Sequence, residues 1–545
     1  MTLFSTFLIS TIVTILLMPI FINLACKLNV MDFPNDRKVH CDPIPRIGGV
    51  VMALGALAPI LIWAPLDEFV KATMIGSGIL VVFGFVDDLR GIGFRSKFGG
   101  QILAALIVVL YGGLKIKTLS VFTPGSFSLP DWVAIPFTVT VIVAVTNAIN
   151  LSDGLDGLAG GITLLSFLCI GYLSYLDGFQ QNEVMSVAMV GAIFGLLRYN
   201  THPATVFMGD VGSQLLGFMA ITLFLSLTRK YHETTIILTL FIMGIPIIDT
   251  MCVIVQRVLK GRSPFVADQN HIHHKLMRLG LYHSESVLTI YLMHATLVCL
   301  GFIFRLKSPW FLMTFYALFS GLIIALISIA DANGWRISRY HFLDKIVKGQ
   351  LRVLKEERAI IKFSFRAVEI GFIFLLLFSC FLPSHINIYF SFFSVALLFV
   401  ILIAWQIKKE WAFNVIEVAI FLMIPFLIYL CERDVIYLAD TILEKAYSFS
   451  FGLLIVFVLL TLKFSRRRGF KSTPMDFLII FVAVVVPNLP DERIQSWQMG
   501  LVAAKIVVLF FTYEVLKGEL RLDTKRLSVT GIMTLMVISI RGFIG

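Results

Sequence analysis

The stretch from Trp132 to Leu173 decides how the chain folds. It reads WVAIPFTVTVIVAV (132–145), TNAINLSDGLDGLAGG (146–161) and ITLLSFLCIGYL (162–173). Two long apolar runs flank a segment with two asparagines, two aspartates and four glycines. Such runs can enter the ~30 Å hydrocarbon core of a bilayer, where backbone polar groups need partners within the same segment. We therefore predict membrane helices that carry a polar loop at the membrane border.

The composition of the whole chain agrees with a membrane protein. The chain has 545 residues, of which 58% are hydrophobic and 14% are charged, and its mean hydropathy is +0.90. A typical soluble domain has about 25% charged residues. The apolar runs are continuous and do not alternate, which favours helices over a membrane β-barrel. We therefore predict an all-α, polytopic membrane helical bundle.

We predict about eleven spans in residues 1–330 and about seven more in residues 367–545. Residues 1–26 lack the basic start and the small-residue cleavage site of a signal peptide, so they count as the first span. Residues 331–366 separate the two groups and contain nine Lys and Arg residues. The predicted spans cover residues 3–26, 47–64, 70–87, 101–114, 132–147, 158–176, 184–198, 206–227, 235–256, 286–305, 310–330, 367–382, 387–406, 412–430, 448–463, 476–489, 498–516 and 528–544.

Basic residues concentrate in the loops that follow the odd-numbered spans, and the chain has a net charge of +11. In a soluble protein that charge would suggest a nucleic-acid partner, but in short loops between spans it marks the cytoplasmic side. The N-terminus is then outside. The seven cysteines lie mostly in or beside spans and show no metal-ligand spacing. We interpret them as buried apolar residues without disulfides.

Five polar loops follow the first, third, fifth, seventh and ninth predicted spans, and therefore open on the same face. Randomly distributed loops would not concentrate aspartate, histidine and glycine on one side, so we expect one shared site. The loops are DFPNDRKVHCDPIPRIGG (32–49), FVDDLRGIGFRSKFGGQ (85–101), NAINLSDGLDGLAGG (147–161), YNTHPATVFMGDVGS (199–213) and QRVLKGRSPFVADQNHIHHKL (256–276).

Each polar element also has a purely structural alternative. Asp87 and Asp88 could cap the end of a span, and the glycines of loop 147–161 could serve turns and helix packing. The HIHH run (271–274) has no i, i+4 histidine pair and no nearby cysteine, unlike the usual zinc sites. Taken together, aspartate and asparagine oxygens suit Mg²⁺ or Mn²⁺, and basic side chains suit phosphate. This inventory favours phosphoryl transfer, and the lack of a Walker loop argues against ATP.

The five motifs, in this order, resemble those of the polyprenyl-phosphate N-acetylhexosamine-1-phosphate transferases, glycosyltransferase family 4, over residues 1–330. Members move a sugar 1-phosphate from a UDP-sugar to a polyprenyl phosphate. The HIHHKL version (271–276) resembles the branch that begins O-antigen, enterobacterial common antigen and teichoic acid synthesis. The peptidoglycan branch, which uses UDP-MurNAc-pentapeptide, has three consecutive histidines followed by Phe-Glu. That branch stays an alternative.

The resemblance implies a role for each matching residue. Asp210 and Asn150 match the Mg²⁺ ligands, while Asp156 and Phe207 match the residues that read uracil and stack on it. Some members carry a third acidic residue where this chain has DDLRG (87–91), so that role is not assigned. The other matches are Asn147, Asp153 and His271 in the substrate site, Asn200 at the diphosphate, Asp87 and Asp88 beside the acceptor phosphate, Lys97 at a phosphate, and His273 and His274, which turnover requires.

The resemblance therefore predicts transfer of GlcNAc 1-phosphate from UDP-GlcNAc to undecaprenyl phosphate at a bacterial inner membrane, with release of UMP. The expected partners are the UDP-sugar, the lipid phosphate and the membrane, without nucleic acid, and a homodimer is left open. A transporter of a lipid-linked or nucleotide sugar is the rival from another class. A transporter would place its polar residues near the membrane midplane, whereas here they gather at one face.

Residues 367–545 contain no second cluster of aspartate, histidine and glycine comparable to the first. The acidic runs CERD (431–434) and PDER (490–493) fall on the predicted outer face. We expect this extension to be non-catalytic and to serve oligomerisation or a partner. The basic stretch 331–366 is expected to lie along the cytoplasmic headgroups as an amphipathic connector, with a solvated linker as the alternative.

Overall fold

The fold is almost entirely helical, as the sequence predicts. Within the described ranges, ten helices are long and apolar enough to cross a membrane. The same ranges contain two short strands, β1 (Met31–Asp32) and β2 (Ile44–Pro45), which pair antiparallel. The prediction of a polytopic helical membrane protein is confirmed. The computed structural model describes residues 2–33, 43–118, 128–230, 236–261, 263, 270–336, 358–383, 385–407, 409–435, 442–464, 477–478, 499–520 and 525–544.

The chain forms two compact units. The first is Met1–Ser338 with Thr473–Met475, and the second is Arg339–Ser472 with Asp476–Gly545. The described helices of the first unit are α1 (Thr2–Leu28), α2 (Gly48–Trp63), α3 (Glu68–Arg90), α4 (Phe94–Leu110), α5 (Asp131–Leu151), α6 (Leu158–Leu176), α7 (Gln180–Asn200), α8 (Gly209–Lys230), α9 (Leu238–Ile242), α10 (Gly244–Leu259), α11 (Ile272–Arg278), α12 (His283–Phe304) and α13 (Pro309–Ala332).

The predicted ninth span, residues 235–256, is interrupted: α9 ends at Ile242 and α10 begins at Gly244. Pro246 has no N–H to donate to the carbonyl of Ile242, and its ring would collide with that carbonyl in a continuous helix. The hydroxyl of Ser166 in α6 donates to Ile242 O instead, at 2.6 Å. The prediction of one continuous span here is therefore wrong, and a side chain from a neighbouring helix satisfies the carbonyl at the break.

Helix α8 lies at the centre of the first unit. It packs against α2, α3, α5 and α6, and it is the most deeply buried of the ten candidate spans. Its approach to α2 depends on two glycines, because a Cβ on Gly49 would come within 2.2 Å of Gly212 N. Helix backbones come this close only where side chains are missing. The loops that precede α2 and α8 are thereby brought into direct contact, since Gly49 N donates to Met208 O at 2.9 Å.

The second unit is a separate helical bundle with its own apolar core. The predicted span at 476–489 lies outside the described residues, apart from 477–478. Most of the basic stretch 331–366 lies outside them too, so its course along the headgroups stays a prediction. The described helices of this unit are α14 (Arg358–Ser379), α15 (Ile388–Ile407), α16 (Lys409–Val435), α17 (Ile442–Phe464), α18 (Met499–Leu520) and α19 (Lys525–Ile544).

A buried ion pair lies inside the second unit. Lys505 Nζ is 2.6 Å from Glu432 Oε1 and 3.2 Å from Ser448 Oγ, and it lies 4.4 Å from the ring centre of Tyr447. Lys505 is 4% exposed and Glu432 is 6% exposed. Glu432 belongs to the CERD run that was expected at the outer face. It is buried between helices, where the ammonium group of Lys505 compensates its charge. The side of the membrane on which the CERD run lies stays a prediction.

We expect Lys505→Met to lower the free energy of unfolding by about 3–5 kcal/mol, because the Glu432 carboxylate would stay buried without a partner. Lys517→Met is the matched control, since Lys517 is 40% exposed and pairs with Glu417 in the same unit. Its loss should stay within about 1 kcal/mol. Denaturant unfolding of the detergent-solubilised protein measures both values. Equal losses from the two substitutions would contradict this ranking.

Candidate active site

The described parts of the polar loops meet at one end of the first unit. The loops that precede α2 and α8 pair with each other: Phe207 N donates to Pro45 O at 2.9 Å, and Gly48 N donates to Phe207 O at 3.0 Å. The loop that precedes α6 joins the same region, since Gly157 N donates to Asn200 Oδ1 at 3.1 Å. For these residues, the predicted convergence of separate loops on one place is confirmed.

The centre of the site is an ion-pair cluster around Lys97. Its ammonium group lies 2.7 Å from Asp87 Oδ2 and 2.9 Å from Asp210 Oδ2. Asp87 belongs to the last turn of α3, Lys97 to the first turn of α4, and Asp210 to the first turn of α8. The fold thus brings together three predicted site residues from three helices. All three side chains are mostly buried, so each carboxylate depends on the cation beside it.

The other oxygen of Asp210 faces Asn150. Asn150 Nδ2 donates to Asp210 Oδ1 at 2.8 Å and to Ser213 Oγ at 2.8 Å. The two predicted metal ligands are therefore adjacent, and Asp87 shares Lys97 with the other oxygen of Asp210. A half-turn of the Asn150 carboxamide presents its oxygen in place of its nitrogen. Carboxylate and carboxamide oxygens without a thiolate are a donor set that suits Mg²⁺, so the residues present fit that ion.

Asp88 differs from Asp87 in what it contacts. Its carboxylate accepts hydrogen bonds from Asp210 N at 3.2 Å and Val211 N at 3.5 Å, at the start of α8. A Cβ on Gly209, whose φ is +67°, would lie 2.4 Å from Asp88 Oδ2. The capping alternative therefore holds for Asp88, but it caps the positive end of α8 and not the end of its own span. Its predicted place beside the acceptor phosphate stays a prediction.

A chain of carboxamides lies next to the ion-pair cluster. Gln101 Nε2 donates to Gln214 Oε1 at 3.0 Å, and Asn147 Nδ2 donates to Gln101 Oε1 at 2.6 Å. Gln101 and Gln214 are buried and were not among the predicted site residues. Their signal in the sequence is a polar amide inside an apolar run, where an unpaired amide would be costly. Asn147 is thus tied to α4, and its role in the nucleotide site stays a prediction.

Asp156 is held by a second group of contacts. Its Oδ2 accepts from His202 Nδ1 at 2.8 Å and from Ala204 N at 3.2 Å, and its own N–H donates to His283 Nε2 at 3.0 Å. Burial alone would raise the pKa of Asp156. The hydrogen bond from His202 and the nearby His283 outweigh that effect and hold this pKa below its ordinary value. The carboxylate is therefore ionised at neutral pH.

The ligand atoms of Asp156, His202 and His283 lie close enough together that, by distance alone, they could hold a metal ion. The two imidazole rings, however, are stacked, with centroids 4.1 Å apart and an angle of 17° between their planes. Nitrogen lone pairs lie in the ring plane, so parallel stacked rings do not both point at one ion. The three side chains form a hydrogen-bonded cluster. His202 and His283 were not among the predicted site residues.

The histidine motif begins the short helix α11. His271 Nδ1 lies 2.8 Å from Asp249 Oδ2, and Ile272 N donates to Asp249 Oδ1 at 2.8 Å. Asp249 belongs to α10 and was also missed, although an acidic residue within an apolar span normally has a functional or structural partner. Asp249 fixes the orientation of His271 and the start of α11. The predicted contact of His271 with substrate stays a prediction.

His273 packs against the glycine-rich loop that precedes α6. A Cβ on Gly154 would come within 2.4 Å of His273 Nε2, so a larger residue would displace the ring. The ring of His274 lies 4.2 Å from that of His273. Burial, followed by the charge of His274, lowers the pKa of His273 to about 3. His273 is therefore neutral at pH 7, and offers a hydrogen bond without a positive charge.

Asp153 lies near carboxylates of both clusters, and Asn200 connects the loops beside Asp156. Burial raises the pKa of Asp153 to about 8, and the carboxylates of Asp210 and Asp156 add to that rise. Asn200 is buried, and its carboxamide nitrogen donates to Val206 O at 2.9 Å, while its oxygen accepts from the glycine-rich loop. In the structure Asn200 joins two loops. Its predicted contact with a diphosphate, like the stacking role of half-buried Phe207, stays a prediction.

Known proteins share this sequence pattern. Residues 70–228 match the family described as glycosyl transferase family 4. A relative from Bacillus subtilis (strain 168), "Probable undecaprenyl-phosphate N-acetylglucosaminyl 1-phosphate transferase", is 36% identical over 336 residues, which are 60% of this chain and 91% of the relative. The "Undecaprenyl-phosphate alpha-N-acetylglucosaminyl 1-phosphate transferase" of Escherichia coli (strain K12) is 30% identical over 340 residues, 60% of this chain and 90% of the relative.

The name of a third relative contains a different lipid phosphate. The "Decaprenyl-phosphate N-acetylglucosaminephosphotransferase" of Mycobacterium leprae (strain TN) is 33% identical over 299 residues, which are 49% of this chain and 75% of the relative. The three names share a polyprenyl phosphate and an N-acetylglucosamine phosphate. Each alignment covers most of the relative but leaves at least two fifths of this chain unmatched.

We expect Asp249→Ala to lower the free energy of unfolding by about 1–3 kcal/mol, because Ile272 N and His271 would both lose a buried partner. Asp331→Ala is the matched control: Asp331 holds the other end of α11 through Arg278, which is 44% exposed. Its effect should be under about 1 kcal/mol. Thermal unfolding in detergent compares the two variants. A larger loss in the control would show that α11 is not held mainly by Asp249.

Proposed function

The chain belongs to glycosyl transferase family 4, and from this membership we propose that it transfers N-acetylglucosamine 1-phosphate from UDP-GlcNAc to undecaprenyl phosphate, releasing UMP. The observation that carries the proposal is the cluster of Lys97, Asp87 and Asp210, where three helices place a cation between two carboxylates. The names of the relatives support the sugar and the lipid. We place the reaction at the first membrane step of cell-surface polysaccharide synthesis.

The position of the cluster suits a reaction between a soluble and a lipid-linked substrate. Asp87 ends one apolar helix and Asp210 begins another, so the cluster lies where candidate spans leave the membrane. The basic loops on this side mark it as cytoplasmic by the positive-inside rule. A UDP-sugar reaches the cluster from the cytosol, while the lipid phosphate stays at the headgroup level of a bacterial inner membrane. A transporter would instead need its polar groups near the midplane.

The transfer is a direct displacement at phosphorus. An oxygen of the lipid phosphate forms a bond to the phosphorus attached to the sugar, and the bond from that phosphorus to the bridging oxygen breaks. UMP leaves with the bonding electron pair. The second pKa of a phosphate is about 6, so the attacking group is already largely ionised at pH 7. The ammonium of Lys97 offsets the negative charge that accumulates around the reacting phosphates.

Asp210 and Asn150 would hold a divalent metal ion such as Mg²⁺, since their side chains are adjacent and offer oxygen ligands. When bound, such an ion neutralises diphosphate oxygens. Asp156 would read the nucleobase, and Phe207, in the loop that pairs with Pro45, would stack on it. His273 and His274 would hydrogen-bond the reacting groups from α11, at the edge of the glycine-rich loop.

One assay tests the proposal. Purified protein in detergent is mixed with UDP-GlcNAc, undecaprenyl phosphate and Mg²⁺, and both UMP and the lipid-linked product are measured. Parallel reactions contain UDP-MurNAc-pentapeptide in place of UDP-GlcNAc, which tests the peptidoglycan branch. UMP release that requires both UDP-GlcNAc and the lipid supports the proposal. Binding of UDP-GlcNAc without release of UMP would favour the transporter. Product formation only with UDP-MurNAc-pentapeptide would show that the donor belongs to the peptidoglycan branch.

We expect Asp210→Asn to reduce turnover at least 100-fold in this assay. The substitution removes the negative charge that pairs with Lys97 and that would help to hold the metal ion. The variant should still insert and unfold cooperatively, since Asn can keep the contact with Asn150. Asp331→Asn, an acidic residue at the end of α13, serves as the control and should keep its activity. Turnover of Asp210→Asn near the original rate at saturating Mg²⁺ would remove Asp210 from the metal site.

A chain truncated after Arg336 keeps α1 to α13 and every predicted site residue. We expect it to keep transferase activity within about tenfold, because the ion-pair cluster, the glycine-rich loop and α11 all lie in the first unit. Product formation per folded molecule is the measurement, with size-exclusion chromatography to establish folding. A folded but inactive fragment would show that the second unit contributes to the chemistry.

A further inference from the structure

We propose that His202 is a positioning residue that clamps the Asp156 carboxylate for nucleobase recognition, which rests on the function proposed above. His202 Nδ1 and Ala204 N both donate to the same oxygen, Asp156 Oδ2, at 2.8 Å and 3.2 Å. Among the described residues, no group donates to the second oxygen, Oδ1. One oxygen is thus fixed by the protein, and the other is left to accept an N–H from a ligand.

The backbone of Asp156 is fixed as well as its side chain. Its N–H donates to His283 Nε2 at 3.0 Å, so this nitrogen is an acceptor and His283 carries its proton on Nδ1. The ring of His283 stacks on that of His202 with centroids 4.1 Å apart. The side chain of His283 is 10% exposed, whereas that of His202 is 36% exposed. A buried histidine therefore supports the half-exposed one that holds the carboxylate.

The segment that carries His202 is itself anchored to the loop of Asp156. Asn200 accepts from Gly157 N and donates to Val206 O, so the stretch 200–206 cannot shift without breaking contacts on both sides. The clamp therefore needs no ligand in order to form. A pre-fixed acceptor loses little conformational freedom on binding, which improves affinity for a partner that presents an N–H edge. Uracil presents such an edge through its imide N–H.

The position of the clamp predicts a selective effect. His202 contacts Asp156, which does not belong to the ion-pair cluster of Asp87, Lys97 and Asp210. Loss of the clamp should therefore weaken nucleotide binding and leave the phosphoryl transfer step intact. The predicted signature is a raised KM for UDP-GlcNAc with an unchanged kcat and an unchanged KM for undecaprenyl phosphate.

The test compares His202→Ala, which removes the donor, with His202→Asn, which keeps an N–H donor at a similar position. We expect His202→Ala to raise the KM for UDP-GlcNAc and the Kd for UMP about tenfold. His202→Asn should recover most of the affinity. Inhibition by inorganic pyrophosphate, which has no base, should be equal in all variants. Thr205→Ala in the same loop is the control, because Thr205 is exposed and its hydroxyl donates to the backbone oxygen of Tyr199.

A double-mutant cycle with Asp156→Ala separates positioning from direct contact. If His202 acts through Asp156, His202→Ala should add no further loss of UMP affinity in the Asp156→Ala background. Additive losses would overturn the proposal, because they would mean that His202 contacts the nucleotide itself. Equal loss of kcat and of both substrate affinities in His202→Ala would also overturn it, since that pattern indicates a general structural role.

The same experiments distinguish failure of the clamp from failure of the proposed function. If the unmodified protein neither binds UMP nor forms product, the transferase proposal fails. If it is active and Asp156→Ala weakens UMP binding while His202→Ala does not, only the clamp is wrong.

Discussion

The site depends on an ammonium group held between two carboxylates. Lys97 lies within 3 Å of both Asp87 and Asp210, and these residues come from helices that leave the apolar part of the unit at the same end. Two buried carboxylates at this distance would repel each other without a cation between them. The arrangement therefore concentrates negative charge at one point and balances it with the ammonium group of Lys97.

The helices can meet at this point only because their backbones approach closely. Gly49 and Gly212 let α2 lie directly on α8, and Gly209 leaves room for the carboxylate of Asp88 at the start of α8. The amides at that start are then bonded by Asp88, which ties α3 to α8. The glycines therefore act on the chemistry indirectly. Gly49 and Gly212 determine how closely α2 approaches α8, while Gly209 leaves room for the contact that ties α3, and with it Asp87, to α8.

Around this centre, three groups of hydrogen bonds hold different parts of the site. Gln101, Asn147 and Gln214 connect α4, α5 and α8 through buried amides, which gives the ion-pair cluster a fixed base. His202 and His283 fix Asp156, and Asp249 orients the histidine motif on α11. In the second unit, the buried ion pair of Lys505 and Glu432 has Ser448 and the ring of Tyr447 as neighbours.

The sequence by itself determined the membrane class, the helical fold, the family and the loops that meet, because apolar runs and motif order are local properties of the chain. The family resemblance also named Asp87, Lys97, Asn150 and Asp210, and the structure brings these four side chains into contact. The sequence did not reveal the break at Pro246, whose cost is offset by Ser166 from another helix. His202, His283 and Asp249 were missed because their importance lies in partners far away in the chain. Only the tertiary structure decided which oxygen of Asp156 accepts hydrogen bonds from His202 and Ala204, since hydrogen-bond geometry depends on distances that no local pattern records.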